Sequence, residues 1–415
     1  MQLPEIKRKQ YDNGLVVLTE KVPAAQKACV IVGIRTGSIN EEEKLSGIAH
    51  LNEHMLFKSN RFQRADQILY NLEQIGVSTN AFTSWTDTAI FANSLSKAVP
   101  IVLKVFFEMI TNYNFDLKEF AKEKEVVLSE LSRYLEDYSD YLFRKLFIPT
   151  LFKDTVFQRE VGGTKETVQN ISRKDLVKFK KDYYVPNRIV IAISGNFDEE
   201  NIEKIVDNTF AKMEKGNPIK NPNGIKIKNH ASRIIMKKPV NQVYMDIGTS
   251  LPGDKYIDSQ TIRFISAILS VGMSSRLFVK LREEAGISYE CGNSFVNLNG
   301  EVGCFETYAF HLKEEKMNQA IDIIKGQLQD LKENPISESE LQKTKNLTLL
   351  SHWDDLENLF FRVRNMMKQE FENIEYDFRR LSEILNDLTP EKIQEVAKQH
   401  FNTDQFTITA IVPED

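Results

Sequence analysis

The chain has 415 residues, of which 41% are hydrophobic and 27% are charged, and its formal net charge is −5. That length exceeds one ordinary hydrophobic core, so two or more domains are expected. The mild acidic balance gives no reason to expect binding to nucleic acid or to an anionic membrane surface. No apolar run approaches the roughly 20 residues that span a bilayer, so no membrane partner is expected either.

The N-terminus and the cysteines predict a cytoplasmic protein. Residues 1–14 (MQLPEIKRKQYDNG) have neither the apolar core of a secretory signal nor the Arg/Ser-rich pattern of a transit segment. The three cysteines, Cys29, Cys291 and Cys304, lack any C-x-x-C spacing. Such a sparse, odd set disfavours a disulfide framework and suits a reducing compartment, where these thiols are expected to be free and buried.

The first predicted elements are a strand with a turn over residues 30–38 and then a helix that carries two histidines. The motif in this helix is His50-x-x-Glu53-His54. Positions i and i+4 of a helix lie on one face, so the two imidazoles can bind one ion, and Glu53 lies close enough to contact a water on it. Two imidazoles, one further carboxylate and an open water position are typical of a catalytic zinc site. The order H-x-x-E-H is a signature of zinc peptidases, so the motif predicts peptide hydrolysis.

A pair of strands over residues 76–95 is predicted next, followed by a long helix that begins near Asp116. In this helix Glu123 and Glu130 are seven residues apart, which is two turns, and so they share one face. Either glutamate could supply the third protein ligand. The same residues also fit a solvated acidic face, and the spacing alone leaves these readings open.

The second half of the chain repeats the first. Residues 243–251 resemble residues 30–38 at an offset of 213, and residues 396–415 resemble residues 179–198 at an offset of 217. Between these landmarks both halves read as a strand, a helix, a strand pair and long amphipathic helices. The predicted fold is therefore α+β, with two homologous domains related by duplication, each a mostly antiparallel sheet covered by helices.

The predicted domains cover residues 1–212 and 233–415, joined by a linker over residues 213–232. The linker is polar and rich in proline, glycine and asparagine. Residues 260–267 (QTIRFISA) stand where the histidine helix stands in the first domain, yet they include no histidine and no carboxylate. The second domain is therefore expected to have the same scaffold without the metal and to serve another purpose.

Residues 33–60 (GIRTGSINEEEKLSGIAHLNEHMLFKSN) resemble the N-terminal signature of the pitrilysin/insulinase metallopeptidase family. In that family the third zinc ligand is a glutamate 76 residues beyond the second histidine, which here is Glu130, and a supporting glutamate stands seven residues earlier, which here is Glu123. The resemblance implies a catalytic N-terminal domain with one Zn²⁺ per chain, held by His50, His54 and Glu130.

The resemblance also implies the roles of other residues. Glu53 would be the general base that takes a proton from the zinc-activated water and passes it to the leaving amine. Residues 76–91 (GVSTNAFTSWTDTAIF) are similar to the family's edge-strand segment. A peptide substrate would add there as an extra strand, with its backbone bound by Asn80, Ala81 and Phe82.

Residues 273–290 (MSSRLFVKLREEAGISYE) resemble the segment that carries the family's arginine and tyrosine, here Arg282 and Tyr289. The family pair would bind substrate carbonyls, with Tyr289 donating to the oxyanion. Without the resemblance, Arg282 would be read as a surface cation and Tyr289 as a core strand residue. The length matches the short, two-domain, processing-peptidase-like branch, in which a second copy would supply this pair. A homodimer that encloses a chamber is therefore expected.

The resulting hypothesis is a zinc endopeptidase that cleaves short or unfolded peptides, since a folded protein cannot add a strand to an edge. One alternative is a subunit of a heterodimeric processing peptidase with a metal-free partner. Another is a non-proteolytic scaffold of the same fold, but a scaffold has no use for the set His50, Glu53, His54 and Glu130.

Overall fold

The computed structural model describes residues 3–58, 64–112, 115–134, 136–218, 229–374 and 377–414. Residues 219–228 of the predicted linker lie outside this description. The strands form two sheets, and the chain divides into two compact units. Across the described ranges, no helix combines the length and the apolar character that a membrane crossing requires.

Strands and helices follow one another in a similar order in both halves of the chain. The strands are β1 (Ile6–Gln10), β2 (Val16–Lys21), β3 (Lys27–Ile34), β4 (Val77–Thr83), β5 (Thr88–Leu95), β6 (Ile189–Gly195), β7 (Ser232–Lys238), β8 (Val243–Pro252), β9 (Glu290–Asn297), β10 (Val302–Leu312) and β11 (Thr407–Pro413). The α-helices are α1 (Ile48–Leu56), α2 (Ala65–Gln74), α3 (Val99–Thr111), α4 (Leu117–Tyr134), α5 (Tyr138–Tyr141), α6 (Ile148–Leu151), α7 (Lys165–Asn170), α8 (Arg173–Tyr183), α9 (Glu199–Asn208), α10 (Asp258–Ser270), α11 (Met317–Glu333), α12 (Glu338–Glu357), α13 (Leu359–Glu372), α14 (Leu381–Asn386) and α15 (Pro390–His400). Two further segments, Leu142–Phe147 and Phe278–Glu284, are π-helical.

The first sheet has the strand order β1-β2-β6-β3-β5-β4. Only β2 and β6 pair in parallel, and the other neighbours are antiparallel. The central strands β3 and β6 are apolar along nearly their whole length because both of their faces are buried. The charged strand β1 lies at one edge, and β4 forms the other edge.

The second sheet repeats this arrangement, with the order β7-β11-β8-β10-β9 and one parallel pair, β7 with β11. It matches the order β2-β6-β3-β5-β4 of the first sheet strand for strand. Helix α10 follows β8 as α1 follows β3, and it contains buried aliphatic residues such as Ile262 and Ile265 and no histidine. The α+β fold and its duplication are therefore confirmed.

Each compact unit includes a segment from the other half of the chain. The first unit comprises Met1–Ser132, Arg159–Asn223 and Asp355–Asn373, and the second comprises Arg133–Gln158, Gly224–Asp354 and Ile374–Asp415. In the domains predicted from the sequence, 1–212 and 233–415, each of these two segments instead stays with the half of the chain that contains it. The physical reason for the exchange is that a sheet needs apolar cover on both faces.

In the first unit, this cover comes from α13. The approach to β3 is so close that a side-chain carbon on Gly33 would lie 2.1 Å from Met367 Sδ. A buried ion pair also holds the helix, because Arg362 Nη1 donates to Glu20 Oε1 on β2 at 2.9 Å. Ser194 Oγ of β6 donates to the other Glu20 oxygen at 2.7 Å. A buried charge with these partners is satisfied, whereas removing one partner of such a pair is strongly destabilising.

In the second unit, residues 138–151 provide the matching cover. Leu142 and Leu146 of the π-helical segment form a buried cluster with Phe310 of β10 and Ile411 of β11. The apolar face of this segment is evident from its sequence. The periodicity does not show which of the two sheets this face covers, because that depends on tertiary packing.

Two carboxyl groups are buried together on the second sheet. Asp246 of β8 pairs with Tyr308 and Glu306 of β10 pairs with Gly248, so the two acidic side chains are diagonal neighbours on one face. Burial raises the pKa of Asp246 well above its usual range, and the charge of Glu306 adds to this rise. Burial also raises the pKa of Glu306, against the hydrogen bond donated by Ser294 Oγ at 3.0 Å.

The pair makes stability depend on pH in a defined direction. A carboxyl with a raised folded-state pKa stabilises fully below its unfolded-state pKa of about 4, and this contribution is lost as the pH rises through the folded-state value. We therefore expect the free energy of unfolding of the wild type, relative to Glu306→Gln, to fall between about pH 5 and about pH 8, by at most about 1.4 kcal/mol per pH unit for one proton. Urea unfolding at a series of pH values measures this difference.

The control for that series is Glu315→Gln, at an exposed position outside the pair. Its curve should keep the pH slope of the wild type. If Glu306→Gln also runs parallel to the wild type, the pair does not titrate as the buried geometry indicates.

Candidate metal centre

The histidine helix α1 is held by its N-terminus. Gly47 precedes it with φ +93°, and a side-chain carbon there would lie 2.4 Å from the carbonyl oxygen of Gly162, so glycine is required. The first N–H groups of a helix have no partner within the helix. Here Gly47 N and Ala49 N donate to the two carboxylate oxygens of Glu41, at 2.9 and 2.8 Å.

Glu41 is itself a buried side chain in the turn before α1. Burial raises the pKa of its carboxyl to about 8, against the N–H groups of Ala49 and Gly47 and the charge of Arg159, which favour the anion. Arg159 Nη1 also donates to the backbone oxygen of Glu41 at 3.0 Å. The two carboxyl oxygens accept from N–H groups at the start of α1 that have no partner within the helix, and this contact fixes where α1 begins.

With α1 fixed in this way, two imidazoles meet a carboxylate from α4. His54 Nε2 lies 3.4 Å and His50 Nε2 lies 3.8 Å from Glu130 Oε2. Ligand atoms of a tetrahedral zinc site, each about 2.1 Å from the ion, are about 3.4 Å apart. Within the described ranges, the ligand atoms of His50, His54 and Glu130 all lie within 4.8 Å of one another. The donor set and its spacing therefore fit a zinc ion.

Glu123 lies two helical turns before Glu130 on α4. It contacts the second histidine, His54, at the ring nitrogen that does not face Glu130. Its Oε2 lies 3.3 Å from His54 Nδ1, and its Oε1 accepts from Lys58 Nζ at 2.7 Å. When Nδ1 is engaged by a carboxylate, Nε2 is the nitrogen that faces an ion. Burial lowers the pKa of His54, but the hydrogen bonds to Glu123 and Glu130 outweigh it and raise that pKa to about 9. Burial raises the pKa of Glu123, and the bonds to His54 and Lys58 bring it below its ordinary value.

Glu53 lies on the same helix but outside the group of ligand atoms. Burial raises the pKa of its carboxyl, and the hydrogen bond from Thr83 and the charge of His54 oppose this rise. Thr83 Oγ1 donates to Glu53 Oε2 at 2.7 Å. A carboxyl whose pKa is shifted toward neutrality suits proton transfer at neutral pH.

The predicted peptide-binding edge is β4, the last strand of the first sheet. The N–H of Ala81 donates to Asn80 Oδ1 at 2.8 Å. The Phe82 ring lies 6.3 Å from the Phe91 ring and 6.5 Å from the Phe360 ring of α13, measured between centroids. Phe82 therefore packs toward α13, while Thr83, the next residue, contacts Glu53.

Arg282 and Tyr289 are brought together in the second unit. The guanidinium carbon of Arg282, in the π-helical segment Phe278–Glu284, lies 4.1 Å from the centre of the Tyr289 ring. Tyr289 is 74% exposed, so it is not a core strand residue. The stacked guanidinium restricts the ring, and the phenol remains available to a ligand.

Three residues of this site were not found from the sequence. Lys58 stands four residues after His54, and that helical spacing could have revealed it. Thr83 follows Ala81 by two residues, so strand alternation places both on one face. Glu41 gave no signal, because a bond to backbone N–H groups requires no partner side chain.

In a comparison with known protein families, two models of one peptidase family match successive parts of the chain. The family model described as insulinase (peptidase family M16) matches residues 16–165. The family model described as the peptidase M16 inactive domain matches residues 170–348. The second family model begins within the end of the first half, covers most of the second half and does not include the histidine motif.

Individual relatives cover nearly the whole chain. The Bacillus subtilis protein YmxG, named an uncharacterized zinc protease, is 28% identical over 98% of both chains. A Helicobacter pylori protease of known structure has a TM-score of 0.88 and 22% identity over 99% of this chain and 100% of that chain. A chain of Candida albicans complex III2 has a TM-score of 0.83 and 18% identity over 98% and 96%. This chain belongs to the insulinase (M16) family of peptidases, in its short two-domain branch.

Proposed function

We propose that the chain is a zinc endopeptidase that cleaves short or unfolded peptides. One observation carries this proposal. His50, His54 and Glu130 lie close enough to bind one ion, and Glu53 lies beside them but outside this group of ligands. Zinc bound by these three residues, one ion per chain, would polarise a water and lower its pKa toward about 7. A purely structural site would have four protein ligands and no base.

Glu53 is the general base of the proposed reaction. One of its oxygens accepts from Thr83, which leaves the other free to take a proton from the attacking water. Glu53 then passes this proton to the nitrogen of the leaving amine. Glu123, which is itself held by Lys58, binds His54 Nδ1 so that Nε2 serves as the ligand.

The proposed substrate adds to β4 as an extra antiparallel strand. The N–H of Ala81, which now donates to its neighbour's side chain, would donate to a substrate carbonyl when Asn80 turns away. Binding of this kind depends on an extended backbone more than on side chains. It therefore favours short or unfolded peptides and demands little of their sequence.

Arg282 and Tyr289 are proposed to act on the substrate from a second copy of the chain. Each chain carries both the proposed metal ligands and the stacked pair, of which Tyr289 is exposed, so a homodimer would complete each centre with the partner's pair. Tyr289 would donate to the oxygen on which negative charge develops. This proposal makes the chain sufficient by itself, without a different subunit.

The competing proposal is a subunit of a heterodimeric processing peptidase. The exposed pair supports it too, because that pair could serve the zinc centre of another protein. Cleavage of a peptide mixture by the purified chain, combined with its mass in solution, separates the two. Activity from a single-species dimer excludes the heterodimer, and an inactive, zinc-loaded chain excludes the homodimer.

The first prediction separates metal binding from proton transfer. Glu53→Gln should retain about one zinc per chain and lose at least about 100-fold in kcat, because an amide cannot accept the proton. His54→Ala should lose both the zinc and the activity. Elemental analysis and a fluorogenic peptide assay measure the two effects. Near-normal cleavage by Glu53→Gln, or a full zinc content in His54→Ala, would contradict the assigned roles.

The second prediction concerns the carboxylate behind His54. Glu123→Gln should weaken zinc binding by about 10- to 100-fold, because the neutral amide holds His54 less firmly. Competition with a zinc chelator measures the affinity. Glu125→Gln changes an exposed glutamate on the same helix and should bind zinc like the wild type. Equal affinities for the two variants would show that the contact of Glu123 with His54 does not support zinc binding.

The third prediction concerns the exchange of residues between subunits. Two differently tagged chains, one with Glu53→Gln and the other with Tyr289→Phe, should form a double-tagged dimer with one complete centre. Its activity should be about half that of the wild type, since one of two symmetric centres is intact. Both homodimers should be nearly inactive.

The matched control places both substitutions on one chain and pairs it with a wild-type chain. If Tyr289 acts across the dimer, the wild-type zinc centre then faces the substituted Tyr289 position and the dimer is nearly inactive. If Tyr289 acts within its own chain, this control has about half of the activity and the first dimer has almost none. Failure to recover any double-tagged species would contradict the homodimer itself.

A further inference from the structure

The last residue of the peptide-binding edge contacts the catalytic base. Thr83 ends β4, and its Oγ1 lies 2.7 Å from Glu53 Oε2. A hydroxyl donates one proton, and a distance of 2.7 Å is typical of a strong O–H···O bond to a carboxylate. The contact therefore engages one of the two oxygens of the base.

The neighbouring hydroxyl does not compete for this proton. Thr88, opposite Thr83 on β5, donates its own proton to the carbonyl oxygen of Thr36 at 3.0 Å. The two threonine oxygens are 3.5 Å apart, which is too long for a strong bond. The Thr83 proton is thus committed to Glu53.

We propose that Thr83 is a positioning residue, which orients the carboxylate of Glu53 and couples it to the edge on which the peptide lies. Threonine suits this role because its branched side chain has few rotamers. With Oε2 held by Thr83, the other oxygen keeps one direction, toward the attacking water. The inference rests on the proposed peptidase function, since it assigns a task to a neighbour of the proposed base.

The coupling follows from the position of Thr83 on β4. Thr83 lies two positions after Ala81, whose N–H is proposed to bind the substrate, so the two residues lie on the same face of the strand. A peptide that adds to β4 fixes the strand, and the strand then fixes the base through Thr83. An occupied edge and an oriented base are thereby two consequences of one binding event.

The test compares Thr83→Val with Thr83→Ser. Valine keeps the shape of threonine and removes the hydroxyl, whereas serine keeps the hydroxyl. For Thr83→Val we expect a kcat lower by about 10- to 100-fold, the effect of losing one hydrogen bond to a charged group, with KM within about twofold of the wild type. Thr83→Ser should recover most of the activity. The zinc content and the thermal unfolding midpoint should stay at wild-type values in both variants.

A second measurement uses the metal-free protein and needs no turnover. The infrared band of the Glu53 carboxylate is identified by its loss in Glu53→Gln. This band should shift in Thr83→Val, because the hydrogen bond to the carboxylate is gone, and it should keep its wild-type position in Thr83→Ser. If the wild-type chain cleaves no peptide, the proposed function fails and the infrared comparison still decides whether Thr83 holds Glu53.

Three results would overturn the inference. The first is a wild-type kcat in Thr83→Val, and the second is an unshifted carboxylate band in that variant. The third is an equal loss of activity in the valine and serine variants together with lower unfolding midpoints, which would mark Thr83 as a residue of structural importance only.

Discussion

The metal centre depends on the carboxylate of Glu41 at the start of α1. This helix has nine residues, which is too short to be stable by itself, so its surroundings fix where it begins. Glu41 binds its first N–H groups, and Gly47 lets the preceding turn approach Gly162. In this placement Leu51 and Met55 are buried, and His50 and His54 lie together near Glu130 of α4.

Around that helix, residues of one type acquire different tasks from their partners. Glu130 faces two imidazole nitrogens, Glu123 lies between His54 and a lysine, and Glu53 accepts from a threonine. A carboxylate beside cations stays ionised, while burial raises the pKa of one that has fewer charged partners. The three glutamates therefore lie in the different environments that the proposed ligand, support and base require.

The sequence predicts the chemistry of this site better than its support. The spacing of His50, Glu53 and His54 follows from helical geometry alone, and Glu130 was selected by a family resemblance rather than by its spacing. The duplicated sheets were predictable because alternation and landmarks recur in both halves. The exchanged segments, 133–158 and 355–373, were not, since an apolar helix face does not specify which sheet it covers.

The repeated fold shows what a sheet of this kind requires and what it leaves free. Both sheets have the same strand order and both receive a covering segment from the other half of the chain, so these features belong to the scaffold. The helix after the matching strands β3 and β8 differs: α1 carries the proposed metal ligands, while α10 carries buried aliphatic residues. Since both helices occur on the same scaffold, the histidines are not a requirement of the fold. The second domain instead exposes Tyr289, whose ring stacks with the partly buried Arg282, and packing alone would not favour such an exposed aromatic ring.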